Sequence, residues 1–515
     1  MGIPSYYSYI IRNHNNIIKK FGTNSKYKNL YLDSNSIIYD TVRSIEYNNN
    51  ITLFENNLIK AVCAKLLEYI NMFNNPDIVF IAFDGVAPLA KLEQQRNRRY
   101  KSQFTSDVLS TISVSNEQKW NTTAITPGTA FMEKLDKKVA LFFKKYKNVI
   151  VSGSNIPGEG EHKIFTHLRS NNNINSNTAI YGLDADLIML GLNHLSYCKH
   201  IFLYRETPHY IGNLNSDLDK DQNYLLDLSE LSKGIIFNMT SDTNYQLYNY
   251  KIYDYIFLGL MLGNDFMPHF PALNIRTFGV DVLLETYYHF ISKNECIFNG
   301  KQINWKLFRK LINELAKNEL DYLLEEYKQR NNMSKRTLPN KTPEEKERKF
   351  QAIPIYQRQV ENFINPGHPY WEHRYYKMLF QIDINEDKLK NICRNYLEGL
   401  EWNCIYYTSG CPDWNWSYKY DYPPLLSDLL KHVPYFQTKF IENKPEEPVK
   451  DLVQLAYVLP IKQLHLLPKN VYEKLKDKHW YSDNFNFKWS FCKYFWESHV
   501  EFPTIDLDEL KIIVS

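Results

Sequence analysis

Seven carboxylates stand where strand ends and tight turns would present them. Asp33 closes LYLD, and Asp84 follows the apolar run Ile78–Phe83 (IVFIAF). Glu159 and Glu161 alternate with glycines in PGEGEHK, Asp184 and Asp186 lie two apart in YGLDADLI, and Asp265 stands in GNDFMPHFP. Residues two apart on an extended or turning backbone face the same side. Any one acid is explained as a helix cap or a surface residue, but seven in apolar, glycine-flanked settings fit that reading poorly. Gathered in one cleft they would repel, and some would be pushed up in pKa unless cations neutralised them. Oxygen donors without matched His or Cys suit Mg²⁺ or Mn²⁺ rather than zinc. Two such ions side by side would clamp the attacking and the leaving oxygen of a phosphodiester displacement. His162 and His269 neighbour these acids and are read as packed residues, not ligands.

A second group lies in FDGVAPLAKLEQQRNRRY. Lys91, Gln95, Arg98 and Arg99 are spaced i, i+4, i+7, i+8, which places them on one helical face. Pro88 suits the first position of that helix. A face of donors beside Asp84 fits a phosphate held next to a metal. The competing reading is a solvated basic face.

The elements that must position these residues alternate. Strands are expected at Tyr31–Asp33, Ile78–Phe83, Val149–Val151, Ala179–Leu183 and Ile201–Tyr204, and amphipathic helices at Asn57–Phe73 and Ala130–Tyr146. Ser102–Thr126 is polar and weakly patterned, so a loop or short helix is expected there, and Asn171–Asn177 reads as a loop. This alternation predicts an α/β fold with a mostly parallel central sheet flanked by helices. Acids at the carboxyl ends of such strands lie where open α/β sheets bind ligands.

The chain has 515 residues, 44% of them hydrophobic, enough for a large core. Its net charge is only +3, so any nucleic-acid contact must rest on local basic patches. Seven dispersed cysteines without a C-x-x-C pair argue for a reducing compartment, with neither a disulfide framework nor a zinc site. No apolar stretch reaches the ~18 residues of a membrane span, and MGIPSYYSYIIRN lacks the apolar segment of a secretory leader. The charged, polar stretch 329–350 reads as a linker. It separates an N-terminal core, 1–328, from a helix- and aromatic-rich second region, 351–515, packed around it.

Taken together, these segments resemble a known family. MGIPSYYSYI, LYLDSNSII, FDGVAPLAKLEQQRNRRY, NIPGEGEHKI, YGLDADLIMLGL and GNDFMPHFP match, in order, the first conserved region of the 5′→3′ exoribonucleases, the XRN family. LEGLEWNCIYYTSGCPDWNWSYKYDYPPLLSDL is similar to their second conserved region. The resemblance covers nearly the whole chain and implies a PIN/FEN-like nuclease core. It implies that Asp33, Asp84, Glu159, Glu161, Asp184, Asp186 and Asp265 are the catalytic acids and hold two Mg²⁺ or Mn²⁺ ions. Lys91, Gln95, Arg98 and Arg99 would bind a 5′-monophosphate. Tyr39 occupies the place of a base-stacking histidine, and Trp414 or Trp416 would be the stacking aromatic of the second region.

The implied activity is processive, metal-dependent 5′→3′ hydrolysis of 5′-monophosphorylated single-stranded RNA to mononucleotides, in RNA and mRNA decay. The expected partner is that RNA, with no membrane, and the protein is expected as a monomer, cytoplasmic by default with a nuclear location as the alternative, without the long C-terminal domains of some relatives. The rival readings are a structure-specific DNA nuclease of the same superfamily, which would lack the phosphate pocket and the second region, and an inactive RNA-binding module, which would lack acids.

Overall fold

The computed structural model describes residues 6–22, 26–47, 49–112, 120–171, 174–208, 211–442, 444 and 447–514. The first five residues of the opening motif, residues 113–119 of the Ser102–Thr126 stretch and 172–173 of the expected loop lie outside them.

Strands β1 (Ile18–Lys20), β2 (Asn29–Asp33), β3 (Ile78–Ala82), β4 (Val149–Ser152), β5 (Asn177–Tyr181), β6 (His200–Arg205) and β7 (Tyr224–Asp227) form one sheet in the order β1-β7-β6-β5-β2-β3-β4. From β6 to β4 every neighbour is parallel, and β7 and β1 close the far edge antiparallel. The chain runs outward through β2, β3 and β4, then returns to place β5 on the other side of β2. The carboxyl ends of β5, β2 and β3 therefore meet at the point where the strand order reverses, the crevice in which such sheets bind ligands.

The central strands β2, β3 and β5 are buried on both faces, as a sheet covered by helices on each side requires. Leu30, Leu32, Val79 and Ile81 pack with the helices Asn35–Ser44, Ile51–Met72 and Ala130–Phe143. Tyr31, Phe80 and Ile180 face the larger core, which takes in the helices Gly160–Ser170, Asp186–Asn193, Lys251–Leu260, Trp305–Lys317 and Glu386–Thr408. A third cluster seats Leu92 of the basic helix against Val453–Leu459 and Leu510.

Two expectations are corrected. The basic helix runs Leu89–Ile112, so it continues well into the stretch expected to be loop or short helix. The stretch 329–350 is largely helical, shared between Glu319–Ser334 and Pro343–Gln351, the latter opened by a capping box of Thr342 and Glu345. Its Arg330 is 2% exposed and binds Glu361 at 2.6 Å and the Cys492 carbonyl at 3.0 Å. Arg330 is the one buried charge of the stretch; its other charged residues, Lys335 to Lys349, are exposed or half-buried, most of them on the second helix. The large core also runs from Tyr6 to Phe491, so residues on both sides of 329–350 share one interior.

Candidate active site

The acid cluster is built on glycine. The backbone N–H of Gly160 donates to Asp84 Oδ1 at 2.7 Å, and a Cβ there would stand 2.6 Å from Asp33 Oδ1 and 3.3 Å from Asp84 Oδ1. Only a residue without a side chain lets the start of the Gly160–Ser170 helix approach both carboxylates. Asn35, two residues after Asp33, donates to Asp84 Oδ2 at 2.6 Å and accepts from the Asp84 N–H at 3.0 Å. Asp84 is thereby fixed at both oxygens.

Glu159 precedes that helix and Glu161 sits in its first turn, both buried. Asp186 opens the next helix, 3% exposed, with Oδ1 buried and without a hydrogen-bond partner among the described residues. Asp184 lies exposed just after β5. Burial, then the charges of Asp84, Asp184 and Glu159, pushes Asp33 well above the usual carboxylate range. Burial, then Glu159 and Asp186, does the same to Glu161. Burial and then Asp265 push Asp186 up to about 7. Burial would raise Asp265 as well, but Lys91 outweighs it and holds that carboxyl low. The mutual influence of these groups shows that the sequence-expected acids converge. A crowded set of oxygen donors with one orphaned buried acceptor fits a divalent cation. His162, read from sequence as a packed residue, joins them: ligand atoms of Glu159, Glu161 and His162 lie within 4.8 Å of one another. Burial and the nearby Lys91 keep its imidazole neutral.

The basic helix meets this cluster at Lys91 and Gln94. Lys91 Nζ stands 2.5 Å from Glu159 Oε2 and 2.7 Å from Asp265 Oδ2. Gln94, which sequence reasoning passed over, donates to Asp265 Oδ1 at 3.3 Å. Gln95 lies beyond, its Oε1 buried and unpartnered among the described residues. Arg98 is exposed, and Arg99 donates to Thr126 Oγ1 at 2.7 Å. Burial lowers Arg99 to about 10, with Tyr39 among the groups acting on it. The intervening Arg96 points the other way, is 1% exposed, lies over Phe502 at 3.9 Å and donates to the carbonyls of Trp480 and Pro503. One arginine of the run is structural, and the stripe read from spacing lies on the opposite side.

The second region supplies a wall of rings. Trp416 is 8% exposed and stacks on Trp402 at 5.2 Å and 23°. Its exposed π-face is lost to the core, whereas Trp414 and Tyr39 keep part of their surface open. Trp402 stacks on Tyr406 at 4.6 Å, and Tyr406 lies against His162 at 3.8 Å. The Tyr406 hydroxyl donates to Glu159 Oε1 at 2.7 Å. Tyr407, 2% exposed, lies where Asp186, Glu161 and Asp265 act on it. Both tyrosines escaped sequence reasoning, because their partners lie far away in the chain. Spacing gave one usable sign: Trp402 and Tyr406 are i, i+4 on a single helix.

Comparison with known proteins matches the chain to one family. A family model described as the XRN 5′-3′ exonuclease N-terminus covers residues 1–207, and one described as the Xrn1 helical domain covers 247–363 and 325–513. The 5′-3′ exoribonuclease 1 of Saccharomyces cerevisiae is 28% identical, over 91% of this chain and 40% of the relative. That of Homo sapiens is 26% identical, over 91% and 31%. The 5′-3′ exoribonuclease 2 of Eremothecium gossypii is 23% identical, over 98% and 77%. The chain thus spans less than half the length of the yeast and human exoribonuclease 1 relatives it matches.

Proposed function

Because this chain belongs to the XRN 5′-3′ exonuclease family, we propose that it is a processive 5′→3′ exoribonuclease acting in RNA decay on single strands that begin with a 5′-monophosphate. The observation that carries this reading is the convergence of the acids on Lys91, the first residue of the basic stripe. Carboxylates raised so far by burial and by one another are stable as anions only beside cations.

In this reading Asp33, Asp84, Glu159, Glu161, Asp184, Asp186 and Asp265 hold two Mg²⁺ or Mn²⁺ ions. Such ions, when bound, polarise the phosphoryl oxygens and supply a water of lowered pKa. The chain's own residues do the rest. Asn35 and the Gly160 N–H keep Asp84 in one orientation. Lys91, Gln95, Arg98 and Arg99 receive the 5′-phosphate, which sets the register so that cleavage falls after the first nucleotide. Tyr39 and Trp414 stack on bases, each worth ~1–3 kcal/mol. The buried rings of the second region keep solvent away from the acids.

The test uses one single-stranded RNA with a 5′-monophosphate, triphosphate or hydroxyl, and its DNA counterpart, each with Mg²⁺, Mn²⁺ or EDTA. Mononucleotide release from the monophosphorylated RNA alone, stopped by EDTA, is expected. Equal attack on all three ends, or internal cuts, would overturn the phosphate pocket. Release undiminished by EDTA would overturn the metal assignment.

A further inference from the structure

We infer that Tyr406 is a positioning residue for Glu159, so that a hydroxyl from the second region sets how tightly the acid cluster of the first binds a divalent cation. The inference rests on the reading of Glu159 as a metal ligand.

Glu159 occupies the N-cap position of the Gly160–Ser170 helix, yet its side chain makes no capping hydrogen bond. Its carboxylate is committed elsewhere: Oε1 accepts from Tyr406 at 2.7 Å and Oε2 faces Lys91 Nζ at 2.5 Å. These two donors differ in kind. The ammonium of Lys91 neutralises the charge it touches and competes with an incoming cation. The neutral hydroxyl of Tyr406 orients its oxygen and leaves the negative charge in place, which is the task of an outer-shell partner to a metal-ligating carboxylate.

The hydroxyl is held where it is by packing. The Tyr406 ring lies between Trp402 at 4.6 Å and His162 at 3.8 Å, with the edge of Phe266 at 5.3 Å. Trp402 is pinned by its Nε1, which donates to the Asp413 carbonyl at 2.9 Å, and is backed by Trp416. Gly399, one turn earlier on the same helix, admits this column: a Cβ there would stand 2.3 Å from Met267 Sδ and 3.0 Å from Trp416 Cη2. Phe266, which edges both Trp402 and Tyr406, is the residue after Asp265. One column of rings therefore buttresses acids from two separate loops.

The test is calorimetric titration of Mn²⁺ into the full chain without RNA, for the native protein, Tyr406→Phe, Glu159→Gln and the double variant, with melting temperatures alongside. Phenylalanine keeps the ring and removes only the hydroxyl. Tyr406→Phe is expected to weaken Mn²⁺ binding about 10-fold, within the range for outer-shell partners. The Mn²⁺ concentration for half-maximal RNA cleavage should move by the same factor. In the Glu159→Gln background, Tyr406→Phe should add no further loss. Unchanged Mn²⁺ binding in Tyr406→Phe, with or without a lower melting temperature, overturns the inference while leaving Glu159 a ligand. A loss in the double variant equal to the sum of the singles also overturns it. Unchanged binding in Glu159→Gln instead overturns the metal reading of Glu159 itself.

Discussion

Lys91 faces two demands. It touches Glu159 and Asp265, and it begins the stripe that continues to Gln95, Arg98 and Arg99. Acids and stripe should nevertheless separate on mutation. Asp184→Ala is expected to cut RNA hydrolysis by more than about 100-fold, beyond the usual loss from an outer partner, while RNA affinity in a filter-binding assay stays near native. Turnover close to native would argue against a metal-binding role. Arg99→Ala removes a charge-assisted contact worth ~1.5–3 kcal/mol, so kcat/KM for monophosphorylated RNA should fall about 10–100-fold, with little change for a 5′-hydroxyl end. An equal loss on both ends would count against the pocket. A third residue reports on pH. His194 is fully buried, with Nδ1 2.7 Å from the Leu190 carbonyl and Nε2 2.8 Å from Arg169, so Nδ1 carries the proton and Nε2 accepts. Burial first, and Arg169 with it, lowers this imidazole from 6.5 to about 3. The unfolded chain then binds the extra proton first, so stability is full above about pH 6.5 and declines as pH falls toward 3, by about 2 kcal/mol at pH 5. Asp186, raised to about 7, acts in the opposite sense between pH 7.5 and 5, so the readout is a difference: in denaturant titrations His194→Gln should lose less stability than the native protein on going from pH 7.5 to 5. The acids were legible in the sequence because strand ends and glycines announce themselves locally. Tyr406 was not, since what defines it is a neighbour hundreds of residues away; His162 stood beside Glu159 and Glu161 in the sequence but was read as a packed residue.

Elements were readable where a single segment supplies its own pattern. The parallel strands β2 to β6 are short apolar runs, and all were anticipated within a few residues. β1 and β7 were missed: β1 (IKK) has no apolar alternation, and both are defined by pairing at the sheet edge. The stretch 329–350 shows the reverse error: its composition resembles a linker, but its backbone is largely helical and its Arg330 is buried against Glu361. Arg330 and Arg358 both bind Glu361, which also accepts the Phe491 N–H at 2.8 Å. Arg330→Ala strips one cation from a buried carboxylate, and a loss of about 3 kcal/mol is expected in chemical denaturation. A change below ~0.5 kcal/mol would mean that the segment is the loose tether its composition suggests.

At the scale of the molecule, one core joins residues from Tyr6 to Phe491. Residues 1–328 expressed alone are therefore expected to show no cooperative melting transition and to expose apolar surface to a dye such as ANS. A sharp melt from that fragment would reinstate the two-domain division drawn from composition. The α/β class was legible as alternation along the chain, but the shared interior was not, because composition says nothing of which apolar faces meet. That sharing has a consequence in time. Tyr406 lies 247 residues beyond Glu159. At about 5–20 residues per second of synthesis, the interval between the two is roughly 12–50 s. Through nearly all of it a nascent chain carries Glu159 without Trp402, Tyr406 or Trp416, the rings of the second region that brace it. In the function proposed above, a ribosome making this protein thus displays no finished hydrolytic centre beside its own message until that late helix has emerged.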